Sequence, residues 1–174
     1  YLIHQDSAAL NNLCLMHFND EYPFIVHQKQ MLDAVEYLCD KKEFENLKSN
    51  ANVKEAINNF WMESFGSEEN AKEHIKQFYL RTELANKFFS SYREGWCTDR
   101  GMIFIIFGPP RYIIRYQNSE RWIYGDDNSV MSEDFSFHKI DNPYSSNAYG
   151  LDRSTTYKNI WYKMLDAWRD GRLF

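Results

Sequence analysis

The spacing of apolar residues changes along the chain, and each change predicts a different element. Two short apolar segments, Tyr1 to His4 and Leu13 to Phe18, are separated by polar residues and predict a pair of strands. From Met31 onward, apolar residues recur every three or four positions, as they do on one face of a helix. These faces comprise Met31, Leu32, Val35 and Leu38, then Phe44 and Leu47, then Val53, Ile57, Phe60 and Trp61. Asn50 or Asn52 is expected to cap the last of these helices.

The longest helical pattern follows Gly66, which is expected to end the preceding helix, and Ser67, which is expected to begin the new one. Its apolar stripe continues for about five turns. The stripe comprises Ala71, Ile75, Phe78, Thr82, Ala85 and Phe89. Tyr79, Arg81 and Asn86 lie off this stripe, and two readings of them stay open: solvated surface, or the contact of this helix with a strand layer.

A short polar segment, Gly95-Trp96-Cys97-Thr98-Asp99-Arg100-Gly101, joins this helical half to the rest of the chain. Gly95 is expected to end the long helix in a left-handed conformation, and Trp96 is expected to anchor the turn. The apolar run from Met102 to Phe107 predicts a strand that is covered on both faces. Gly108-Pro109-Pro110 breaks this strand and lacks the spacing and the lysine of a phosphate-binding loop.

The second half of the chain predicts a small antiparallel sheet. Its strands are 102–107, 111–116, 120–124 and 134–140. The second and third are expected to form a hairpin or near-hairpin, and the last has one aromatic face, because Phe135 and Phe137 alternate with polar residues. A last helix is expected to be capped by Ser154 or Thr155 and to end at Gly171. Its apolar face comprises Ile160, Trp161, Met164, Leu165 and Trp168. The predicted fold class is α+β, with a helical half packed on a small antiparallel sheet and a C-terminal helix.

Composition and charge narrow the function classes. The chain has 174 residues, which fit one domain or slightly more, and 44% of them are hydrophobic, which is ample for a core. The formal net charge of −5 argues against nucleic acid as a partner, because binding a phosphate backbone requires a basic surface. No apolar run approaches the length of about 18 residues that a membrane-spanning helix needs, so the sequence predicts no transmembrane segment in this chain.

The cysteines do not form a recognisable metal site. Cys14, Cys39 and Cys97 lack both CxxC spacing and the histidines of a zinc site, so no metal is expected. Cys14 and Cys39 can form a disulfide in an oxidising compartment. The favoured reading is that all three are small, half-buried thiols.

Asp99 and Arg100 are the adjacent charges before the apolar run, and two readings of them are open. In the functional reading, Asp99 is a general acid or base, or a ligand. In the structural reading, Thr98 and Asp99 form a turn, and Arg100 pairs with a buried carboxylate. Acid–base catalysis usually requires a second positioned titratable group, and none is clear nearby. The sequence therefore favours the structural reading and assigns no catalytic residue and no cofactor.

The segment from Gly95 to Ile103, followed by Phe107-Gly108-Pro109-Pro110, resembles the signature of the GWxTD-domain proteins, a family abundant in Bacteroidota. The resemblance covers roughly residues 30 to 174. It marks as structural motif Gly95, Trp96, Thr98, Asp99, Arg100, Gly101, Gly108 and Pro109. Leu80 and Ala148 depart from the family pattern, which favours a polar or tyrosine-like residue at the first position and an aspartate at the second.

This resemblance implies a longer, exported protein with β domains before the module. Residues 1–28 would then be the tail of a preceding β domain, and residues 29–174 the GWxTD-type α+β domain. The expected location is the periplasm, with an outer-membrane lipoprotein anchor as one arrangement. The resemblance supplies no catalytic residue and no cofactor that carries over to this chain.

The preferred function is a non-catalytic interaction module in an outer-membrane-associated secretion, gliding or assembly complex, with other envelope proteins as partners. Tyrosine and arginine are enriched at interfaces, so the contact candidates are Tyr112, Arg115, Tyr116 and Arg121. A solvated strand edge is the equally weighted reading of these four residues. The alternative function is an envelope hydrolase or a small-ligand-binding enzyme that uses Asp99, with Arg100 or Glu120 nearby.

Overall fold

The computed structural model describes residues 2–3, 13–65, 68–125 and 133–172. The helices are α1 (Gln28–Val35), α2 (Lys41–Ser49), α3 (Val53–Phe65), α4 (Glu68–Phe89), α5 (Asp99–Phe107) and α6 (Thr155–Arg169), with 3-10 turns at Glu36–Leu38 and Gly95–Cys97. The strands are β1 (Leu2–Ile3), β2 (Leu13–Cys14), β3 (Tyr112–Arg115), β4 (Ser119–Tyr124), β5 (Glu133–Lys139) and β6 (Tyr149–Leu151). The predicted α+β class is confirmed. Among these described helices, none combines the length and the apolar character needed to cross a membrane.

The larger sheet has the strand order β3-β4-β5-β6, with every neighbouring pair antiparallel. β3 and β4 form the predicted hairpin, in which Arg115 lies opposite Glu120. The Tyr116 N–H closes its turn by donating to the Ser119 carbonyl oxygen at 2.8 Å. β1 and β2 form a separate antiparallel pair, as predicted for the first two apolar segments.

One face of the larger sheet is buried against helices. Trp122, Phe135 and Phe137 on this face are each at most 1% exposed. The Phe89 ring of α4 lies 5.1 Å from the Trp122 ring, which in turn lies 4.9 Å from the Phe137 ring. This alternation of buried and less buried positions is what the sequence predicted for strands with one aromatic face.

The run Met102 to Phe107 is helical, so the strand predicted there is wrong. It forms most of α5, which packs against α4, β6 and α6. Thr98 caps the helix by accepting a hydrogen bond from the Gly101 N–H at 3.0 Å, and Gly108 ends it with a φ of 79°. A helix buried on all sides has the same continuous apolar run as a buried strand, so periodicity does not separate them. The fourth strand of the sheet is β6, which the sequence pattern did not predict.

The predicted apolar stripe of α4 is confirmed. Its buried members are Ala71, Phe78, Thr82, Ala85 and Phe89, with Ile75 partly buried. Arg81 and Asn86 lie off the stripe but are only 7% and 1% exposed, so the surface reading is wrong for both. Tyr79 is partly buried, and its hydroxyl donates to the Met31 carbonyl oxygen at 3.2 Å. The helix is therefore covered on more than one side, which a single stripe does not reveal.

Three predicted helix ends are confirmed. Asn52 begins α3, because its Oδ1 accepts the N–H three residues later at 3.3 Å. Ser154 caps α6 in the same way, with its Oγ 3.3 Å from the N–H two residues later. Gly171 follows α6 with a φ of 64°, the left-handed conformation that commonly ends helices.

Gly95 does not end α4, so that prediction is wrong. The helix stops at Phe89, and Gly95 lies in the following 3-10 turn without a positive φ. Gly66 and Ser67, which were predicted to separate α3 from α4, lie outside the described residues.

The segment between β2 and α1 is bonded to α4. The Tyr22 hydroxyl donates to the Asn86 carbonyl oxygen at 2.7 Å, and Asn86 Nδ2 donates to the Pro23 carbonyl oxygen at 3.0 Å. The Ile25 N–H donates to a carboxylate oxygen of Glu83 at 3.2 Å. This segment therefore packs on the helical half, while the predicted domain boundary between residues 28 and 29 stays a prediction.

The C-terminal helix contributes to the core through Trp168, as predicted. Trp168 is fully buried, its ring lies 5.7 Å from the Phe78 ring, and its Nε1 donates to the Ile106 carbonyl oxygen at 2.9 Å. Trp161, two turns earlier, is only partly buried. The two tryptophans therefore share a helix face but differ in their access to solvent.

Candidate functional site

The signature segment forms a tight corner, which we call the Gly95–Gly101 corner, where three pieces of backbone meet. Gly95 lies against α4: a Cβ at Gly95 would be 2.0 Å from the Ala85 carbonyl oxygen and 2.7 Å from Asn86 Cα. Gly101 lies against Gly95, and its Cβ would be 1.9 Å from the Gly95 carbonyl oxygen. No side chain fits at either position, so two glycines are what allow α4, the corner and α5 to pack together.

Polar contacts hold this corner in place. The Thr98 hydroxyl donates to the Gly95 carbonyl oxygen at 2.7 Å. The Trp96 N–H donates to Asn86 Oδ1 at 3.1 Å, and the Trp96 carbonyl oxygen accepts from the Tyr37 hydroxyl at 2.9 Å. The corner is thus bonded to α4 through Asn86 and to the turn after α1 through Tyr37. Trp96 contacts its surroundings through its backbone and through its ring, which lies 6.1 Å from the Tyr37 ring, while its anchoring role stays a prediction.

Asp99 connects the start of α5 to the end of β6. Its Oδ2 accepts from the Leu151 N–H at 2.8 Å, and its Oδ1 accepts from Arg153 Nη2 at 3.0 Å. The side chain is 28% exposed and borders a cavity of about 80 Å³ that Tyr92 and Tyr149 also line. A carboxylate in the first turn of a helix also interacts favourably with the helix dipole. This arrangement holds β6 and Arg153 in position, while an acid–base role for Asp99 stays a prediction.

Arg100 pairs with a buried carboxylate, as the structural reading of the sequence predicted. Its Nη1 lies 3.3 Å from Glu120 Oε2, and the two side chains are 5% and 7% exposed. Trp122 Nε1 donates to the same carboxylate oxygen at 3.1 Å, and Arg115 Nε donates to the other oxygen at 3.3 Å. The Glu120 carboxylate is therefore bonded on both oxygens inside the fold.

The remaining contacts of Arg100 reach the loop before β6. Its Nη2 donates to the Asn147 carbonyl oxygen at 2.8 Å, and its guanidinium carbon lies 4.1 Å from the centre of the Tyr149 ring. Asn147 in turn donates from Nδ2 to the Ser90 carbonyl oxygen at 2.8 Å, just beyond α4. Burial lowers the pKa of Arg100, and the Glu120 charge opposes this effect. One arginine thus joins α5, β4 and this loop.

Arg81 is a second buried cation, whose role the sequence left open. Its Nη1 donates to the Ile105 carbonyl oxygen at 3.1 Å, near the end of α5, and its guanidinium carbon lies 5.3 Å from the Trp168 ring. Gly108 packs on this guanidinium, since a Cβ there would be 2.9 Å from Arg81 Nη2. A positive charge at a helix C-terminus is favoured by the helix dipole, although burial lowers the pKa of Arg81. Gly108 is therefore favoured by its φ of 79°, and its missing side chain leaves room for this guanidinium; the exposed Pro109 follows it.

The four predicted contact residues lie on the β3–β4 hairpin but do not share one face. Tyr112 and Tyr116 are exposed. Together with Ile114, which lies between them, they are spaced two residues apart and therefore point to the same side, away from the helices. We call this side the outer face of the sheet. Arg121 lies opposite Ile114 and belongs to the same face, whereas Arg115 lies on the other face and bonds Glu120 with a side chain that is 69% exposed.

A family model described as the GWxTD domain matches residues 1–170. The chain belongs to the GWxTD-domain family. The matched range includes every element from β1 to α6, and the Gly95–Gly101 corner contains the residues that spell the family name, Gly95-Trp96-Cys97-Thr98-Asp99. No curated protein and no solved structure matches the chain.

Leu80 and Ala148, where the resemblance favoured other residues, lie in different surroundings. Leu80 is 51% exposed on α4. Ala148 is buried and borders the same small cavity as Asp99. An aspartate in place of Ala148 would put a second carboxylate beside this cavity.

The three cysteines of this GWxTD domain are free thiols, so the structure contains no disulfide between Cys14 and Cys39. All three are partly buried, in agreement with the favoured reading of the sequence. Burial raises the pKa of Cys39 to about 12 and that of Cys97 to about 12. At neutral pH both are therefore protonated and weakly nucleophilic.

We expect the folded domain to lose stability as the pH rises above about 9. The folded pKa of Cys39 and of Cys97 is about 12, against an ordinary value of 9.0, so between these values the unfolded state releases protons that the folded state retains. Burial also raises the pKa of Tyr37, Tyr79 and Tyr124, which extends the effect above pH 10.0. Thermal melts from neutral to alkaline pH should show a falling Tm. A variant that combines Cys39→Ala and Cys97→Ala should lose less Tm between about pH 9 and 10, and equal losses would contradict this cause.

Proposed function

We propose that this GWxTD domain is a non-catalytic interaction module that binds another protein through the outer face and the free edge of β3. The observation that carries the proposal is the row of Tyr112, Ile114 and Tyr116, which are 45%, 39% and 59% exposed. The first two lie on β3, at the edge of the sheet, and Tyr116 follows it directly. Exposed apolar rows on edge strands are a liability unless a partner covers them. Tyrosine is also enriched among the residues that contribute most to binding.

The backbone of β3 adds hydrogen-bonding groups to this surface. Because Tyr116 bonds to Ser119 and antiparallel pairs alternate, the N–H and C=O groups of Ile113 and Arg115 point away from β4. Within the described part of the chain, no strand pairs with this edge. An extended segment of a partner can therefore add to the sheet here, a common mode of peptide recognition.

The charges of the hairpin favour an acidic partner. Arg111, Arg115 and Arg121 lie on the hairpin of a chain whose formal net charge is −5. Arg121 is bound to Asp134 at 2.7 Å, and Arg115 to Glu120 at 3.3 Å, but both arginine side chains are about half exposed or more. Complementary charge on a partner would steer its approach and set its orientation.

We place this module in the cell envelope of a Bacteroidota species, as part of a periplasmic or outer-membrane-associated complex for secretion, gliding or assembly. An outer-membrane lipoprotein anchor belongs to the same proposal. The support for this location is the expectation that GWxTD-domain proteins are exported.

The test is photo-crosslinking in the native cells, with the full-length protein carrying a photoreactive residue at Tyr116. The matched control carries it at Tyr162 of α6, which has a similar exposure of 55%. We expect a discrete crosslinked envelope protein from position 116 that is absent from position 162. Arg121→Glu should reduce this product, because it reverses the charge beside Ile114.

Two results would contradict the proposal. One is equal crosslinking from positions 116 and 162, since a specific surface captures its partner from one side. The other is recovery of the protein at native abundance as a lone monomer after gentle extraction of membranes.

The variants Tyr112→Ser and Tyr116→Ser should keep the Tm of the parent, because both side chains are exposed. If these variants lose the crosslinked partner while their Tm is unchanged, unfolding is not the cause of the loss.

A further inference from the structure

A second surface feature lies where α5, the sheet and the first two turns of α6 leave a cavity of about 300 Å³. We call it the α6 cavity. Its floor consists of Ile103, Phe135 and Leu151, which are at most 7% exposed. A volume of about 300 Å³ lies at the lower end of the range for ligand pockets, which suits a small molecule.

The walls of the α6 cavity are apolar and partly open to solvent. They are formed by Met102, Tyr157 and Trp161, each of which is partly buried. The Tyr157 ring lies 4.8 Å from the Phe135 ring of the floor, so the wall and the floor are continuous. Apolar surface of this kind gains free energy when a hydrocarbon group replaces the water in contact with it.

Two cations border the opening of the α6 cavity. Arg153 and Lys158 line it, and both are exposed. Arg153 is oriented by Asp99, whose Oδ1 accepts from its Nη2 at 3.0 Å, and a guanidinium has further N–H donors for a ligand. Lys158 has no ion pair with any residue that the structure describes. The opening therefore combines an apolar interior with a positive rim.

We propose that the α6 cavity binds a small amphiphilic carboxylate, with its hydrocarbon body on the apolar floor and its carboxylate at Arg153 and Lys158. The apolar lining selects for the hydrocarbon, and the cations select for a negative head group over a neutral one. Arginine forms directed, charge-assisted hydrogen bonds with carboxylates, and Lys158 adds a point charge. The role of Asp99 in this site is to position Arg153. The site is independent of the outer face of the sheet.

The first experiment is an NMR titration of the intact, methyl-labelled chain with sodium octanoate below its critical micelle concentration. We expect saturable shifts of the methyl groups of Met102, Ile103 and Leu151, with a single dissociation constant. Octanol, which has the same chain without the charge, should bind about fivefold more weakly. An absence of saturable shifts at these methyl groups, or shifts spread equally over exposed apolar residues elsewhere, would overturn the site.

The second experiment isolates the charge at the opening. Lys158→Glu should weaken octanoate binding by about fivefold or more and leave octanol binding unchanged. The matched control is Lys163→Glu on the same helix, because Lys163 is exposed but does not line the cavity. It should bind octanoate as the parent does. Equal affinity for octanoate and octanol, or equal weakening in both lysine variants, would overturn the assignment of a carboxylate head group.

Discussion

Gly95→Ala is expected to prevent folding of the domain or to lower its free energy of unfolding by about 3 kcal/mol or more. The added Cβ would lie 2.0 Å from the Ala85 carbonyl oxygen, and the atoms that it meets are the backbone of α4 rather than the end of a flexible side chain. Relieving the overlap requires the corner to move away from α4, which stretches the hydrogen bond from the Trp96 N–H to Asn86. Circular dichroism and urea denaturation measure the loss.

Gly150→Ala is the matched control for this prediction. A Cβ at Gly150 would meet the side-chain ends of His138 and Ile140 at 3.2 Å, and these ends can rotate away. We expect a change below about 1 kcal/mol. If Gly95→Ala destabilises the domain no more than Gly150→Ala does, the close approach of the corner to α4 is not what requires glycine.

The Gly95–Gly101 corner shows which structural roles can be predicted from neighbouring residues in the sequence and which cannot. Thr98 was predicted to bond to nearby backbone N–H groups, and Arg100 to pair with a buried carboxylate. Both predictions used only the residue type and its neighbours in the sequence, and the structure confirms both. The prediction for Gly95 used the commonest role of glycine after a helix. Its actual role depends on a contact with Ala85, ten residues earlier in the chain, which no local pattern encodes.

The same distinction explains the errors in the fold. The hairpin of β3 and β4 and the caps of α3 and α6 follow from neighbouring residues, and they were predicted correctly. Whether Met102 to Phe107 is helix or strand depends on what surrounds the run, because both elements are uniformly apolar when fully buried. Only the structure shows that α4, the sheet and α6 enclose it.

The candidate sites also differ in how much of each could be predicted from the sequence. Tyr112 and Tyr116 were chosen by residue type, and their exposure agrees with a contact surface. Asp99 and Arg153 are 54 positions apart, and no local sequence pattern associates them. The α6 cavity likewise depends on how α6 docks beside α5 and β6, which its amphipathic pattern alone does not determine.

Glu120→Met is expected to produce the second large effect, a loss of about 3–5 kcal/mol of unfolding free energy. Arg100 is 4% exposed, and without Glu120 its charge would stay buried without a carboxylate partner. The Asn147 contacts and the Tyr149 and Phe89 rings would remain beside it. Arg100→Met should cost less, because Glu120 then keeps hydrogen bonds from Arg115 and Trp122. Urea denaturation of each variant gives these values, and the order of the two losses is the first check.

The double variant Arg100→Met with Glu120→Met tests whether the buried pair itself is the cause. Removing both charges leaves no unpaired ion, so the double variant should lose less free energy than the two single losses added together, by about 0.5–3 kcal/mol. Additive losses would mean that each side chain acts through separate packing contacts.

Arg100→Lys is the conservative comparison, because it keeps a positive charge near Glu120. A lysine cannot make both the planar contact with the Tyr149 ring and the hydrogen bond to Asn147, so we expect this variant to be less stable than the parent. If the lysine variant were fully stable, charge alone would join α5 to β4, and the loop that contains Asn147 would not depend on the guanidinium.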